Sequence, residues 1–248
     1  MTKPDDLAAY VFDGKPHLLS SELAHWMEAS PRFITFAETY RDKIRKKIRV
    51  IREPESMLDL RSELQVACCL LNDRRLSVEY EPYASAKRRS PDFGVTYRGS
   101  QRFNIEVARM HMEESAVGGI DLPRKEAHIL RILMNKMGQA QPGMPNLLVI
   151  QTWEDLAQSI DLDRLLQEVK TRVDGKDPAF LADGRLASPS EFYKNFLGLN
   201  AIVLWAAGAQ LWVNKQARPR LPDPILRLVR SLLFGLEQMP DECDVSRR

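Results

Sequence analysis

The stretch SPDFGVTYRGSQRFNIEVAR, residues 90–109, decides the fold. Its apolar and polar residues alternate, the period-two pattern of strands with one buried face. Phe93, Val95 and Tyr97 share one face of a first strand, with Asp92, Gly94 and Thr96 on the other. Phe103, Ile105 and Val107 share one face of a second strand, with Asn104, Glu106 and Ala108 opposite. Arg98-Gly99-Ser100 supplies the turn. A one-residue slip would turn either strand inside out, so laying both apolar faces on one side also brings Asp92 and Glu106 onto a common polar face. A two-residue loop at Gly99-Ser100 breaks this parity. The pattern therefore predicts a three-residue loop with Gly99 or Ser100 in a left-handed conformation, or a bulge.

Working outward, residues 54–73 read as a helix opened by Pro54 and Glu55, with Leu60, Leu64, Ala67 and Leu71 facing a core and Glu63 bordering that stripe. A strand follows over 76–83, then a loop carrying Lys87, Arg88 and Arg89 next to Asp92. After the hairpin, a polar connection leads to an amphipathic helix over 124–139 with Ile129, Leu130, Leu133 and Met137 as its apolar arc. Lys125 and Lys136 edge that arc. Residues 146–152 form a continuous apolar run between Pro145 and a polar turn, as expected of a central strand buried on both faces.

This order of parts resembles the PD-(D/E)xK phosphodiesterases, the restriction-endonuclease-like superfamily. The resemblance rests on Glu63 in a helix, Pro91-Asp92 at the head of one strand, Glu106 late in the next, and then a helix and a buried strand, and it covers roughly residues 58–152. It implies an α/β fold, a mixed sheet flanked by helices, with residues 54–248 as the catalytic domain and residues 1–53 as a helical extension packed on it. It also implies a metal-dependent nuclease that hydrolyses phosphodiester bonds, in DNA, with nucleic acid as partner and a homodimer as an allowed assembly. Asp92 and Glu106 would hold magnesium, or manganese in its stead, with Glu63 as an outer or second-metal ligand; such hard cations take carboxylates and water. The family's lysine stands two residues after the second acid, where this chain has Ala108. Lys125 or Lys136 is the replacement candidate, with Lys136 the first choice, since some members of the superfamily carry the lysine, with a glutamine, on this helix, and Gln139 lies close to Lys136. The alternative reading is a catalytically degenerate nuclease fold that binds nucleic acid or serves in assembly.

The remainder of the chain is read from pattern alone. Residues 1–17 are expected to be irregular with a short strand over 9–12, followed by helices over 18–28 and 32–52. The second of these sets Phe36, Tyr40, Ile44, Ile48 and Ile51 against Arg41, Lys43, Arg45, Lys46, Lys47 and Arg49. That basic face, with Lys43, Lys46 and Lys47, and the Lys87–Arg89 loop are the candidate phosphate-backbone contacts, weighed against an ordinary solvated surface. Beyond residue 153 the pattern predicts a helix over 156–173, a loop over 174–188, a short helix over 190–196, a closing hairpin, a basic loop over 214–220 and a last helix over 224–237.

Composition narrows the classes. With 36 Lys and Arg against 34 Asp and Glu, the formal charge of +2 sets up no general polyanion-binding field. The 44% apolar content suits a globular core within 248 residues. No segment has the length of a signal peptide core or the ~20 apolar residues of a membrane helix, so a cytoplasmic protein without membrane contact is expected. Cys68, Cys69 and Cys243 form neither a disulfide framework nor a zinc spacing. P-loop, G-x-S-x-G, H-E-x-x-H and dinucleotide signatures are all missing from the sequence.

Overall fold

The computed structural model describes residues 3–83, 90–111, 121–183, 188–206 and 210–234. Strands β1 (Leu76–Tyr80), β2 (Phe93–Tyr97), β3 (Gln101–Arg109), β4 (Asn146–Gln151), β5 (Leu199–Trp205) and β6 (Gln210–Val213) make one six-stranded mixed sheet in chain order. The first three form an antiparallel meander, β3, β4 and β5 run parallel, and β6 returns antiparallel. Helices fill the crossovers that parallel pairing demands: α6 (Leu122–Met137) between β3 and β4, then α7 (Glu154–Ser159), α8 (Leu162–Asp174), α9 (Pro178–Asp183) and α10 (Pro189–Gly198) between β4 and β5.

The sheet separates two hydrophobic cores. One contains Phe93, Val95, Phe103, Ile105 and Val107 together with apolar residues of α1 (Pro4–Val11), α2 (Ser20–Ala29), α3 (Pro31–Thr39), α4 (Arg41–Val50), α5 (Pro54–Leu71) and α11 (Asp223–Phe234). The other joins Leu148, Ile150, Ile202 and Leu204 to α6, α7, α8 and α10. The N-terminal helices thus share a core with the meander. No helix among the described residues is long and apolar enough to cross a membrane.

In the meander, Phe93 pairs with Ile105 and Tyr97 with Gln101, so the loop is the three-residue Arg98-Gly99-Ser100. Arg98 (φ 49°) and Gly99 (φ 71°) are both left-handed; glycine adopts this conformation readily, which is why the turn closes there. The same register sets Asp92 opposite Glu106. Phe93 and Ile105 are fully buried on the core face, and truncating either side chain to alanine should cost about 2–5 kcal/mol.

Several elements differ from the sequence pattern for identifiable reasons. Residues 4–11 form a helix rather than a strand over 9–12, because Leu7 and Val11, one turn apart, both bury and Pro4 occupies the first turn. The helix expected over 32–52 breaks at Tyr40, whose ring packs 4.9 Å from Phe36 and 6.0 Å from Tyr80 between ring centroids. The helix expected over 156–173 breaks at Ile160; the Asp161 side chain then accepts the Arg164 N–H at 2.9 Å and caps a new helix. The loop expected over 174–188 contains α9.

Candidate active site

Asp92 ends the approach to β2, and its backbone carbonyl accepts the Glu81 N–H at 2.8 Å, which extends the β1–β2 ladder by one step. Its carboxylate Oδ2 accepts the Val107 N–H at 2.7 Å. Asp92 is therefore pinned to the strand that carries Glu106. Glu106 faces α6, and Lys136 Nζ donates to its Oε1 at 2.5 Å. Lys136 follows Leu133 and Ile129 along the edge of the buried helix face, so its aliphatic stem lies on the sheet while its ammonium reaches the carboxylate.

Beside this pair lies a cleft of about 20 Å³, the room of about one water, lined by Glu106, Lys136, Gln139, Asn104 and Asn146. Asn104 is buried, and its Nδ2 donates to Asn146 Oδ1 at 3.1 Å. The orientation of Asn146 is set by Nδ2 donating to the carbonyls of Gln141, Met144 and Gly198, which in turn sets that of Asn104. Asn104 Oδ1 is then a buried acceptor with no protein partner among the described residues. Such an atom takes a donor from water or ligand.

Glu63 approaches from α5 and the opposite core. Its Oε2 accepts the Tyr80 hydroxyl at 2.5 Å and Lys47 Nζ at 2.7 Å. Lys47 also meets Glu81 Oε1 at 2.9 Å, and its neighbour one turn back, Lys43, donates to the Tyr80 and Glu81 carbonyls at 2.8 and 3.2 Å.

The electrostatics follow from three acids gathered under cover. Burial, and then the charges of Glu63 and Glu106, push the Asp92 carboxyl well above the usual carboxylate range, against the opposing influence of Lys136. Burial also raises Glu106, outweighing its contact with Lys136. For Lys136 burial works against the ammonium, but the fields of Glu106, Asp92 and Glu63 outweigh it and raise the pKa above the ordinary lysine value. Clustered carboxylates of this kind suit a cation. Among the described residues no three His, Cys, Asp or Glu side chains are spaced as a ready-made ion cage. Magnesium requires none, because it binds through one or two carboxylates and keeps water in its remaining positions. The donor set therefore fits that ion.

No family model, curated protein or solved structure matches the chain. The site has to be judged on its own geometry.

Of the residues singled out in the sequence, Asp92, Glu106 and Lys136 come together, and the charge of Glu63 acts on all three. Lys125 does not join them: its Nζ sits over the Trp153 ring, 4.9 Å from the centroid. Arg109 turns to the other face and binds Glu55 and Asp59 of α5. The basic face of α4 is largely neutralised, with Arg45 and Arg49 on Asp13 and Lys47 on two glutamates, while Lys46 is exposed. Lys87, Arg88 and Arg89 lie outside the described residues. Sequence reasoning does not mark Tyr80, Glu81 or Asn104 as site residues; alternation puts Tyr80 on a core face and Asn104 on the polar face, but nothing local marks a partner for either.

Proposed function

We propose that the chain is a metal-dependent phosphodiesterase of the PD-(D/E)xK type, a nuclease acting on DNA, in which Lys136 takes the part of the lysine missing at Ala108. The observation that carries this reading is the contact between Lys136 Nζ and Glu106 Oε1, made from a different element onto the same polar face that holds Asp92.

Asp92 and Glu106 would hold magnesium, with Glu63 behind them. When bound, the ion supplies neutralisation of the scissile phosphate and of the leaving oxygen. The protein's own groups do the rest. Lys136 Nζ donates to Glu106, and it acts as a hydrogen-bond donor rather than as a base. In the cleft it orients the attacking water and balances the charge that develops on the phosphate, electrostatic help worth about 10²–10³-fold when a single donor is removed. Gln139 and Asn104 line the same cleft; the first offers a donor to a phosphate oxygen, the second an acceptor to water.

The test is a cleavage panel of single-stranded, duplex and branched DNA, with RNA beside it, in magnesium and in manganese. Cutting by the wild type that is lost in both Asp92→Asn and Lys136→Ala is the expected result. A folded wild type that cuts none of these substrates in either metal overturns the reading.

A further inference from the structure

We propose that Lys47 and Tyr80 are positioning residues for Glu63: both donate to its Oε2, so that the N-terminal helices fix the acid that stands behind the Asp92 and Glu106 pair. This rests on the nuclease reading above, and it assigns to residues 1–53 a part in the chemistry that a packed extension would not have.

Three observations carry it. Tyr80 and Lys47 converge on one oxygen, at 2.5 and 2.7 Å, from β1 and α4, elements far apart in the chain. A carboxylate held at one oxygen by two donors has lost the rotation that would otherwise let it swing away, which is how outer hydrogen bonds orient a metal ligand. Lys47 is also ill suited to gripping nucleic acid. Both its ion-pair partners are glutamates, Glu63 and Glu81, so its charge is already matched.

The backbone is shaped for this contact. Glu81 has φ 47°, in the left-handed region that costs a residue other than glycine roughly 1–2 kcal/mol. That turn ends β1 beside the Lys43 and Lys47 ammonium groups, and Lys43 accordingly binds the carbonyls of Tyr80 and Glu81. The break at Tyr40 redirects α4 at this same place: Tyr40 packs on Tyr80, and Lys47 lies over the Tyr80 ring, 4.7 Å from its centroid.

Charge and position make opposite demands, which gives the test its sign. Removing an ammonium beside an acid cluster would by Coulomb attraction alone tighten the binding of a divalent cation. Loss of a positioning contact weakens it, in the range of about 10–100-fold seen when the outer partners of metal ligands are removed. Binding of Mn²⁺ and Mg²⁺ to the full chain is measured by calorimetry for the wild type, Tyr80→Phe, Lys47→Met, Lys47→Arg and Asp92→Asn, with folding checked by circular dichroism. The expected result is about tenfold weaker binding in Tyr80→Phe and Lys47→Met, with Lys47→Arg recovering to within about threefold. In cleavage, the same variants should need more magnesium for half-maximal rate yet approach the wild-type rate at saturation. Tyr80→Phe keeps the ring and changes no charge, so it decides the matter if Lys47→Met fails to fold. Unchanged or tighter binding in the folded variants, with binding lost in Asp92→Asn, overturns the positioning role and leaves the metal site standing. A wild type that binds neither ion overturns both.

Discussion

Two lysine–glutamate contacts flank Asp92, and they are built differently. Glu106 and Lys136 meet at 2.5 Å across a strand and the helix that follows it in the chain, both within the stretch that resembles a nuclease core. Glu63 and Lys47 meet at 2.7 Å across α5 and α4, with Tyr80 as a third partner and Glu81 as a fourth. The first lysine has a cleft beside it; the second is shared between two glutamates. On the proposed reading, one contact meets the substrate and the other holds a side chain still. The Asp92 carboxylate forms no ion pair among the described residues and accepts the Val107 N–H.

The largest expected effect breaks the comparison at its centre. Asp92→Asn should lower cleavage in magnesium by at least about 10³-fold, as removal of a charge-bearing ligand does; a variant that cuts at a tenth of the wild-type rate would exclude Asp92 from the metal site. Lys136→Ala should come next, with about 10²–10³-fold slower turnover and metal affinity that is not weakened, since the ammonium on Glu106 is removed. The two lysines then separate cleanly: Lys136 acts on turnover, Lys47 on metal dependence. Equal behaviour of the two alanine or methionine variants in both assays would erase the distinction.

A smaller effect concerns stability. Asp92 binds a proton more readily folded than unfolded, so its contribution falls as pH rises above the ordinary value of 3.8. An asparagine side chain at this position would still accept the Val107 N–H but carry no buried charge. In the metal-free protein Asp92→Asn should therefore raise Tm, by roughly 2–6 °C at neutral pH, about 1–2 kcal/mol. The gain should shrink as pH is lowered toward 3.8. Thermal melts of both proteins across that range check it, and a lower Tm in the variant contradicts the buried-charge account.

The smallest effect lies on the far side of the N-terminal helices, away from the acid cluster. The hydrogen bond from Arg49, followed by that from Arg45, lowers Asp13 from 3.8 to about 2. The sign is opposite to that of Asp92: here the unfolded chain binds the proton more readily, so stability is present above 3.8 and lost as pH falls toward 2. The group is open to solvent, which screens the interaction. Asp13→Asn should slightly flatten the acid limb of an unfolding curve and leave metal affinity unchanged. A shift in metal affinity as large as that of Lys47→Met would tie this surface to the site.

Much of the hairpin is legible without coordinates. Alternation over residues 93–107 sets the two faces, and parity alone demands an odd loop, which the Phe93–Ile105 register bears out. The amphipathic helix expected over 124–139 from three- and four-residue spacing is found at Leu122–Met137. The strand expected over 9–12 is not found, because Tyr10, Val11 and Phe12 look β-prone in isolation while the Leu7–Val11 spacing belongs to a helix that packs.

What the sequence determined by itself is whatever depends on period and short closure: the shared face of Asp92 and Glu106, the buried central strand, and the edge of a helix from which a lysine could reach them. The sequence favoured Lys136 over Lys125, but both edge the same arc, and what each stem meets, Trp153 or Glu106, is set by the tertiary structure. Only it broke the long basic helix at Tyr40 and turned Lys47 inward onto Glu63. Periodicity fixes the direction of a side chain relative to its own helix axis. The direction of that axis comes from packing between distant residues, here Tyr40 against Tyr80, and no local pattern encodes it.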